Sequence, residues 1–248
     1  MNVAPRTVAI TGASGALGQA LLRRWHARGA RLLALTHGDR PLQLSGPDGT
    51  AIPLQQRRWQ VGEEEALREL LAGVDVLVLN HGINVHGDRS REATARSLEV
   101  NALSTWRLLE LFAELKTAAA EAGPCSDGAG RRLPEVWINT SEAEIQPAIS
   151  PLYEISKRLI GELVSLRAPA LSRQLRIRRL VLGPFRSTLN PVGVMGADFV
   201  AGEILRQADL DFGLIIVTPN PLTYVLMPLA SLARWLYARV LCGPAPQG

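Results

Sequence analysis

Short apolar runs alternate with longer amphipathic stretches along most of this 248-residue chain. Thr7–Thr11 is a β-branched run that closes on glycine, and Arg31–Thr36, 57–61 and 74–80 are the next strand candidates. Residues 135–140, Arg176–Leu182 and Leu214–Val217 bring the set to seven. Between them apolar residues recur at helical spacing: Leu17, Leu21 and Trp25 share one face of 16–28, and Gly29 follows its end. Further helices are predicted over 63–71, about 91–122 and 152–167. This rhythm predicts a parallel sheet covered on both faces, and right-handed crossovers make it a doubly wound, Rossmann-type α/β fold. The whole of 1–248 reads as a single domain with a short apolar C-terminal segment at about 219–242. Two stretches break the rhythm. Residues 37–56 carry Gly46-Pro47-Asp48-Gly49 and read as a hairpin or irregular loop; 123–134 is rich in glycine and polar residues and reads as a mobile surface loop.

Composition narrows the class of protein. With 47% hydrophobic and 20% charged residues, the chain has the make-up of a soluble globular protein. Its net charge of +4 comes from basic residues scattered among acids, and the pairs Arg57-Arg58, Arg131-Arg132 and Arg178-Arg179 read as solvated faces, so no nucleic-acid partner is expected. Cys125 and Cys242 have no metal-type spacing near the four histidines. Neither a disulfide scaffold nor a metal site is expected, and a reducing, cytoplasmic compartment fits. Met1–Pro5 leads straight into a strand, with no signal peptide. Residues 212–233 carry no charge, a run long enough on paper to span a bilayer. Pro219, Pro221 and Pro228 interrupt it, which favours a core strand followed by a docked helix; a surface-lying membrane contact through 226–241 is the alternative.

The first strand ends in Thr11-Gly12-Ala13-Ser14-Gly15-Ala16-Leu17-Gly18, and a helix opens inside that segment. Gly12 permits a tight turn, a second small residue lets backbone N–H groups approach a pyrophosphate, and Gly18 lets helix and sheet pack closely. The helix N-terminus adds partial positive charge. Gly12, Ser14, Gly15, Ala16, Leu17 and Gly18 are therefore the candidate dinucleotide cradle, in the strand–turn–helix context that such a motif requires. At the end of the second strand, where an NAD site carries a carboxylate for the ribose hydroxyls, stand Thr36 and His37, with Arg40 just beyond. Without that carboxylate a 2′-phosphate meets no repulsion, and His37 or Arg40 can pair with it. NADP is thus the favoured cofactor and NAD the alternative.

Tyr153 and Lys157 lie one helical turn apart and share a face. A free tyrosine titrates near pH ~10, and an adjacent ammonium stabilises its phenolate, which makes it usable as a general acid/base. Lys116 and Lys157 are the only lysines in the chain, so a lysine at this offset is not a product of composition. Residues 136–141 run as a strand into a polar tip, where the Ser141 hydroxyl, or that of Thr140, can bond a substrate oxygen. Asn80-His81-Gly82 ends the fourth strand, with a glycine that admits a cofactor to the backbone. Asn101 sits inside a long helical pattern, where asparagine is a poor helix former.

The glycine pattern, Asn80-His81-Gly82, Asn101, Ser141 and Tyr153…Lys157 together resemble the short-chain dehydrogenase/reductase family across nearly the whole chain. The resemblance implies that Tyr153 donates and accepts the proton and that Lys157 binds the nicotinamide ribose while lowering the Tyr153 pKa. It also implies that Ser141 orients the carbonyl or hydroxyl and that Asn101 holds a water in the proton relay. Gly183-Pro184-Phe185-Arg186-Ser187-Thr188 is similar to the family's Pro-Gly-x-x-x-Thr segment with the first two residues exchanged, which would set Thr188, or Ser187, on the nicotinamide carboxamide. Segments 79–87, 139–157 and 182–195 more narrowly resemble dehydrogenase-type domains fused to sterol-desaturase-like membrane proteins. Several positions depart from the family. Ala16 replaces the middle glycine, Gln60 stands where an acid contacts adenine, and Glu142 and Glu144 follow Ser141 where small residues are usual.

The reading is an NADP(H)-dependent oxidoreductase that interconverts a carbonyl and a secondary alcohol. An apolar substrate is expected from Val192, Val194, Met195 and Phe199 in 189–200, a lid in the family. A non-catalytic dinucleotide-binding or redox-sensing partner of a membrane enzyme is the alternative, motivated by Glu142 and Glu144. A nucleotide-sugar epimerase or dehydratase, suggested by the glycine spacing, ranks third. By resemblance a homodimer or homotetramer would form through 91–122 and 152–167.

Overall fold

The computed structural model describes residues 5–121 and 132–238. Seven strands, β1 (Thr7–Thr11), β2 (Arg31–Thr36), β3 (Gln55–Arg58), β4 (Val76–Leu79), β5 (Glu135–Ser141), β6 (Arg176–Leu182) and β7 (Leu214–Val217), form one sheet in the order β3-β2-β1-β4-β5-β6-β7. Every pairing is parallel. The doubly wound Rossmann-type fold expected from the sequence is present. The order reverses between β1 and β4, and the carboxyl ends of these two strands open the crevice where such sheets bind ligands.

The pleat of β1 explains the two cores. Val8 and Ile10 face one way, with Leu21, Trp25, Trp137, Val200 and Ile204, under α1 (Ala16–His26) and α6 (Ala197–Asp209). Ala9 faces the other way, with Leu77, Ile138, Leu108, Phe112, Ile160 and Val164, under α2 (Arg68–Ala72), α4 (Ser104–Glu121) and α5 (Pro151–Leu171). The sequence pattern missed α6. The lid reading of 189–200 reaches only its first turn, yet Val200, Ala201, Ile204 and Leu205 recur at helical spacing and are buried. The predicted helix over 63–71 is a 3-10 turn (Glu64–Leu67) followed by the short α2, and β3 starts earlier than expected because its polar residues carry no strand signal. Residues 37–56 form no helix; an antiparallel bridge joins Ser45 to Ala51 around the glycine turn.

The long helix predicted over 91–122 is two helices. Between α3 (Arg91–Leu98) and α4 a π-type turn, Glu99–Leu103, admits one extra residue. At its centre the buried Asn101 bonds the backbone of Ile83: Oδ1 accepts from Ile83 N at 2.8 Å and Nδ2 donates to Ile83 O at 3.0 Å. Arg178 and Arg179, read from sequence as a solvated pair, are instead buried. Arg178 bonds Glu135 at 2.7 Å and Arg179 bonds Glu144 at 2.6 Å. The uncharged run 212–233 divides into buried β7 and the helix α7 (Thr223–Leu236), and among the described residues no helix is long and apolar enough to cross a membrane. Cys125, Cys242 and most of the predicted loop 123–134 lie outside the described residues.

Candidate active site

The glycine segment forms a cradle at the carboxyl end of β1. Gly12 has φ +61, and a Cβ there would lie 2.9 Å from the Asn80 carbonyl oxygen. A Cβ on Gly18 would come within 2.4 Å of the Gly12 oxygen, so α1 packs onto the turn only with glycine at that position. Gly15 precedes the helix in an extended conformation, Ser14 is exposed, Ala16 is half-buried, and Leu17 turns its side chain into the core. The first turn of α1 carries no acid, leaving its N–H groups and dipole facing the crevice.

Thr11 stitches the two sides of the crevice together. Its Oγ1 accepts the Asn80 N–H at 2.9 Å and lies 2.8 Å from His81 Nδ1. The Asn80 Oδ1 then accepts from Asn139 Nδ2 at 2.8 Å, carrying the connection to β5. His81 turns its ring inward. It meets Trp59 edge-on at 5.2 Å between centroids, and burial, helped by the nearby Lys157 charge, pushes its pKa down to about 4. At neutral pH it is uncharged and braces Thr11 and Trp59. A Cβ on Gly82 would lie 3.1 Å from Asn101 Oδ1.

At the end of β2, Thr36 is buried; its hydroxyl donates to the Gly38 carbonyl at 3.1 Å and accepts from Gln56 Nε2 at 3.0 Å. His37 and Arg40 are exposed, and Gln56 holds the Arg40 carbonyl at 3.0 Å. The sequence reading passed over Arg58, which pairs in register with Thr36 and is held by Asp39 at 3.0 Å. Parallel register was the missing signal, since the two positions are far apart in the chain.

Three side chains converge across the sheet from β5 and α5. The Ser141 hydroxyl, which donates to the Leu182 carbonyl at 3.3 Å and accepts from the Ala143 N–H at 3.2 Å, sits near the Tyr153 phenol. The Lys157 ammonium lies 5.5 Å from the Tyr153 ring centroid and donates to the Asn139 carbonyl at 3.0 Å. Burial raises the Tyr153 pKa, and the neighbouring Ser141 hydroxyl opposes the rise. Burial also lowers Lys157 to about 8, with the Glu144 charge opposing. Thr140 points to the other face of β5, where it bonds the Leu180 carbonyl at 3.3 Å. Asn101 does not join the trio. Besides Ile83 it bonds the Ser156 hydroxyl at 3.0 Å, so protein groups occupy its side chain and brace the loop after β4 against α5. Thr188 is exposed in the connection after β6, a segment folded back so that Phe185 bridges Met195.

Glu142 and Glu144 turn away from these groups. Glu142 accepts from Thr218 at 2.6 Å and Thr223 at 3.1 Å. Glu144 is buried between Arg179 and Arg234, at 2.6 and 2.8 Å, above Gly161 of α5. The two acids fasten the start of α7 and its last turn to the tip of β5.

The arrangement is a dinucleotide cradle beside a serine–tyrosine–lysine group on a parallel sheet. Residues 8–166 match the NAD dependent epimerase/dehydratase family. The chain belongs to that family and is an NAD(P)-dependent enzyme of the short-chain dehydrogenase/reductase type. It is 43% identical over 240 residues to the monoglucosyldiacylglycerol epimerase of Synechocystis sp., covering 96% of this chain and 55% of that protein. The chain thus spans about half the length of this curated relative. Among solved structures it is similar to the bulky-bulky ketone specific alcohol dehydrogenase from Comamonas testosteroni, with TM-score 0.74, 15% identity, and 100% of this chain and 98% of that one covered. A short-chain dehydrogenase from Sphingobium yanoikuyae in complex with NADPH gives TM-score 0.73 at 16% identity, with 98% of each chain covered. These two likenesses are of fold.

Proposed function

We propose that the chain transfers hydride reversibly between NADP(H) and a secondary alcohol of a lipid-borne sugar, with Tyr153 as acid and base, and that returning the hydride to the opposite face inverts the carbinol. The observation that carries the redox half is the convergence of Ser141, Tyr153 and Lys157 beside the glycine cradle. The relative of 43% identity, an epimerase named for a glucosyl lipid, supports the inversion and the substrate class. A simple carbonyl/alcohol oxidoreductase uses the same first half-reaction without the return step.

The backbone of Gly12, Ser14, Gly15, Ala16, Leu17 and Gly18 would hold the pyrophosphate. Thr36, His37 and Arg40, joined by Arg58, would surround the 2′-phosphate. NAD is the alternative, with Asp39 the nearest acid. Asn80, the His81 backbone and Gly82 would line the ribose, which Tyr153 and Lys157 would bond, and Thr188 would reach the carboxamide. The nicotinamide, when bound, accepts and returns the hydride.

Ser141 bonds the substrate oxygen and fixes its place against Tyr153. In the oxidative direction the Tyr153 phenolate takes the carbinol proton, and in the reductive direction the phenol gives it back. A tyrosine of ordinary pKa is protonated at neutral pH and burial raises that pKa further, so base action would depend on positive charge nearby, for which Lys157 is placed. Asn101 positions the Ile83 loop and α5. Cytoplasmic residence at the periphery of a membrane and a homodimer or homotetramer through the π-type turn, α4 and α5, where Leu103, Ile155 and Leu166 are exposed, complete the proposal. Glu142 and Glu144, which had favoured a non-catalytic module, serve the C-terminal segment instead.

Replacing Tyr153 by Phe should abolish turnover while NADPH binding, followed by fluorescence titration, persists. Undiminished turnover would overturn the assignment. A parallel titration with NADH measures the preference, with NADPH expected to bind more tightly.

A further inference from the structure

Ile149 has φ 56, a left-handed conformation that a β-branched residue adopts only under constraint, and its side chain is 96% exposed. The constraint is visible on both sides. Glu154 Oε1 accepts from the Ala148 N–H at 2.8 Å, and the Ser150 hydroxyl donates to Asn84 Oδ1 at 2.7 Å. These bonds hold the turn in the form that pushes an apolar side chain into solvent. Core packing gains nothing from it.

Ile149 has neighbours of the same kind. Val192 and Val194 are 87% and 69% exposed, and Leu189 and Leu222 are exposed too. The five residues lie on the connections after β5, β6 and β7. Because every strand is parallel, all three connections leave the same edge of the sheet, the edge on which Tyr153 sits. Gln146 donates to Thr223 at 2.7 Å and accepts from Asn220 at 2.5 Å, which joins the first connection to the third. Residues 145–150, 183–196 and 218–222 contain no aspartate or glutamate and a single charged residue, the exposed Arg186.

We infer that this acid-free apolar rim is a docking surface for a lipid bilayer, set so that the active-site mouth faces the membrane. The inference rests on the reading of a lipid-borne sugar as substrate and adds how that substrate is reached. A protein seated on the rim would cover the way to Tyr153, whereas a bilayer carries the substrate in it. A surface with exposed isoleucine, valine and leucine, one arginine, and its neighbouring carboxylates Glu142, Glu144 and Glu154 all bonded within the protein suits the interface between headgroups and acyl chains.

The test floats the purified chain through a density gradient with vesicles of phosphatidylcholine and monoglucosyldiacylglycerol, at low and high salt, with NADPH binding measured in parallel. The chain should rise with the vesicles in both salts. The combined variant Ile149→Ser, Val192→Ser, Val194→Ser should lose flotation by roughly tenfold or more and still bind NADPH, since each apolar side chain contributes to partition by its buried area. Should the triple variant not fold, Ile149→Ser alone should show a smaller loss in the same direction. A chain that stays at the bottom, a variant that floats as well as the parent, or flotation abolished by salt overturns the inference. So does light scattering that shows the rim pairing two copies, with the variant monomeric. Failure to bind either NADPH or NADH strikes the proposed reaction instead, whatever the vesicles show.

Discussion

Lys157 and His81 are bases that burial drives toward their neutral forms, and they meet opposite ends. Lys157 keeps a donor bond to the Asn139 carbonyl and stands beside the Tyr153 ring, while His81 is walled in by Thr11, Thr105 and Trp59. The folded His81 pKa of about 4 lies below its ordinary 6.5, so the unfolded chain binds the extra proton first. Stability from this group is therefore full above pH 6.5 and is lost as pH falls toward 4, by on the order of 2–3 kcal/mol. Urea unfolding of the parent and of His81→Asn across that range should show a flatter limb in the variant. The tyrosine–lysine spacing was readable because both residues lie on one helix. The inward turn of His81 was not, because its partners come from three distant segments of the chain. The same holds for Asn101: its poor fit to a helix was plain from sequence, but its contact with Ile83 depends on how the loop after β4 returns.

Helices and strands show where pattern reading works. β1, β2, β6 and β7 agree with their predicted bounds because apolar runs end at glycine, turn or polar residues. β3 is an edge strand of polar residues, and α6 was hidden beneath a lid analogy although its own periodicity was present. At α5 the packing turns on Gly161, where a Cβ would stand 2.0 Å from Glu144 Oε2. Two arginines hold that carboxylate, so it cannot simply swing away. Gly161→Ala should cost about 2–4 kcal/mol of unfolding free energy by calorimetry, more than the gain alanine normally brings to a helix interior. In α1, Gly18→Ala should weaken NADPH binding at least tenfold in a fluorescence titration, because the helix must back away from the Gly12 turn.

Across the whole molecule the sheet divides the labour. The β1–β3 side presents the glycine turn with Arg40 and Arg58, and β5 and α5 present Ser141, Tyr153 and Lys157, the groups of the proposed reaction. A dinucleotide bound between them should tie the two halves together. At a hundredfold excess over its dissociation constant, NADPH should raise the unfolding temperature by about 5–10 °C, measured by differential scanning fluorimetry. The tip of β5, α5, β6 and α7 are joined in turn by the cluster at Glu144, and that cluster has a history written into it. A lineage that enlarges residue 161 first meets the carboxylate; one that removes the carboxylate first leaves the buried Arg179 without its anion, while the half-buried Arg234 keeps only Glu162. Neither single step is easy, so descendants of this chain should keep Gly161 and Glu144 together or exchange them together, which would tie changes in α7 to changes in α5.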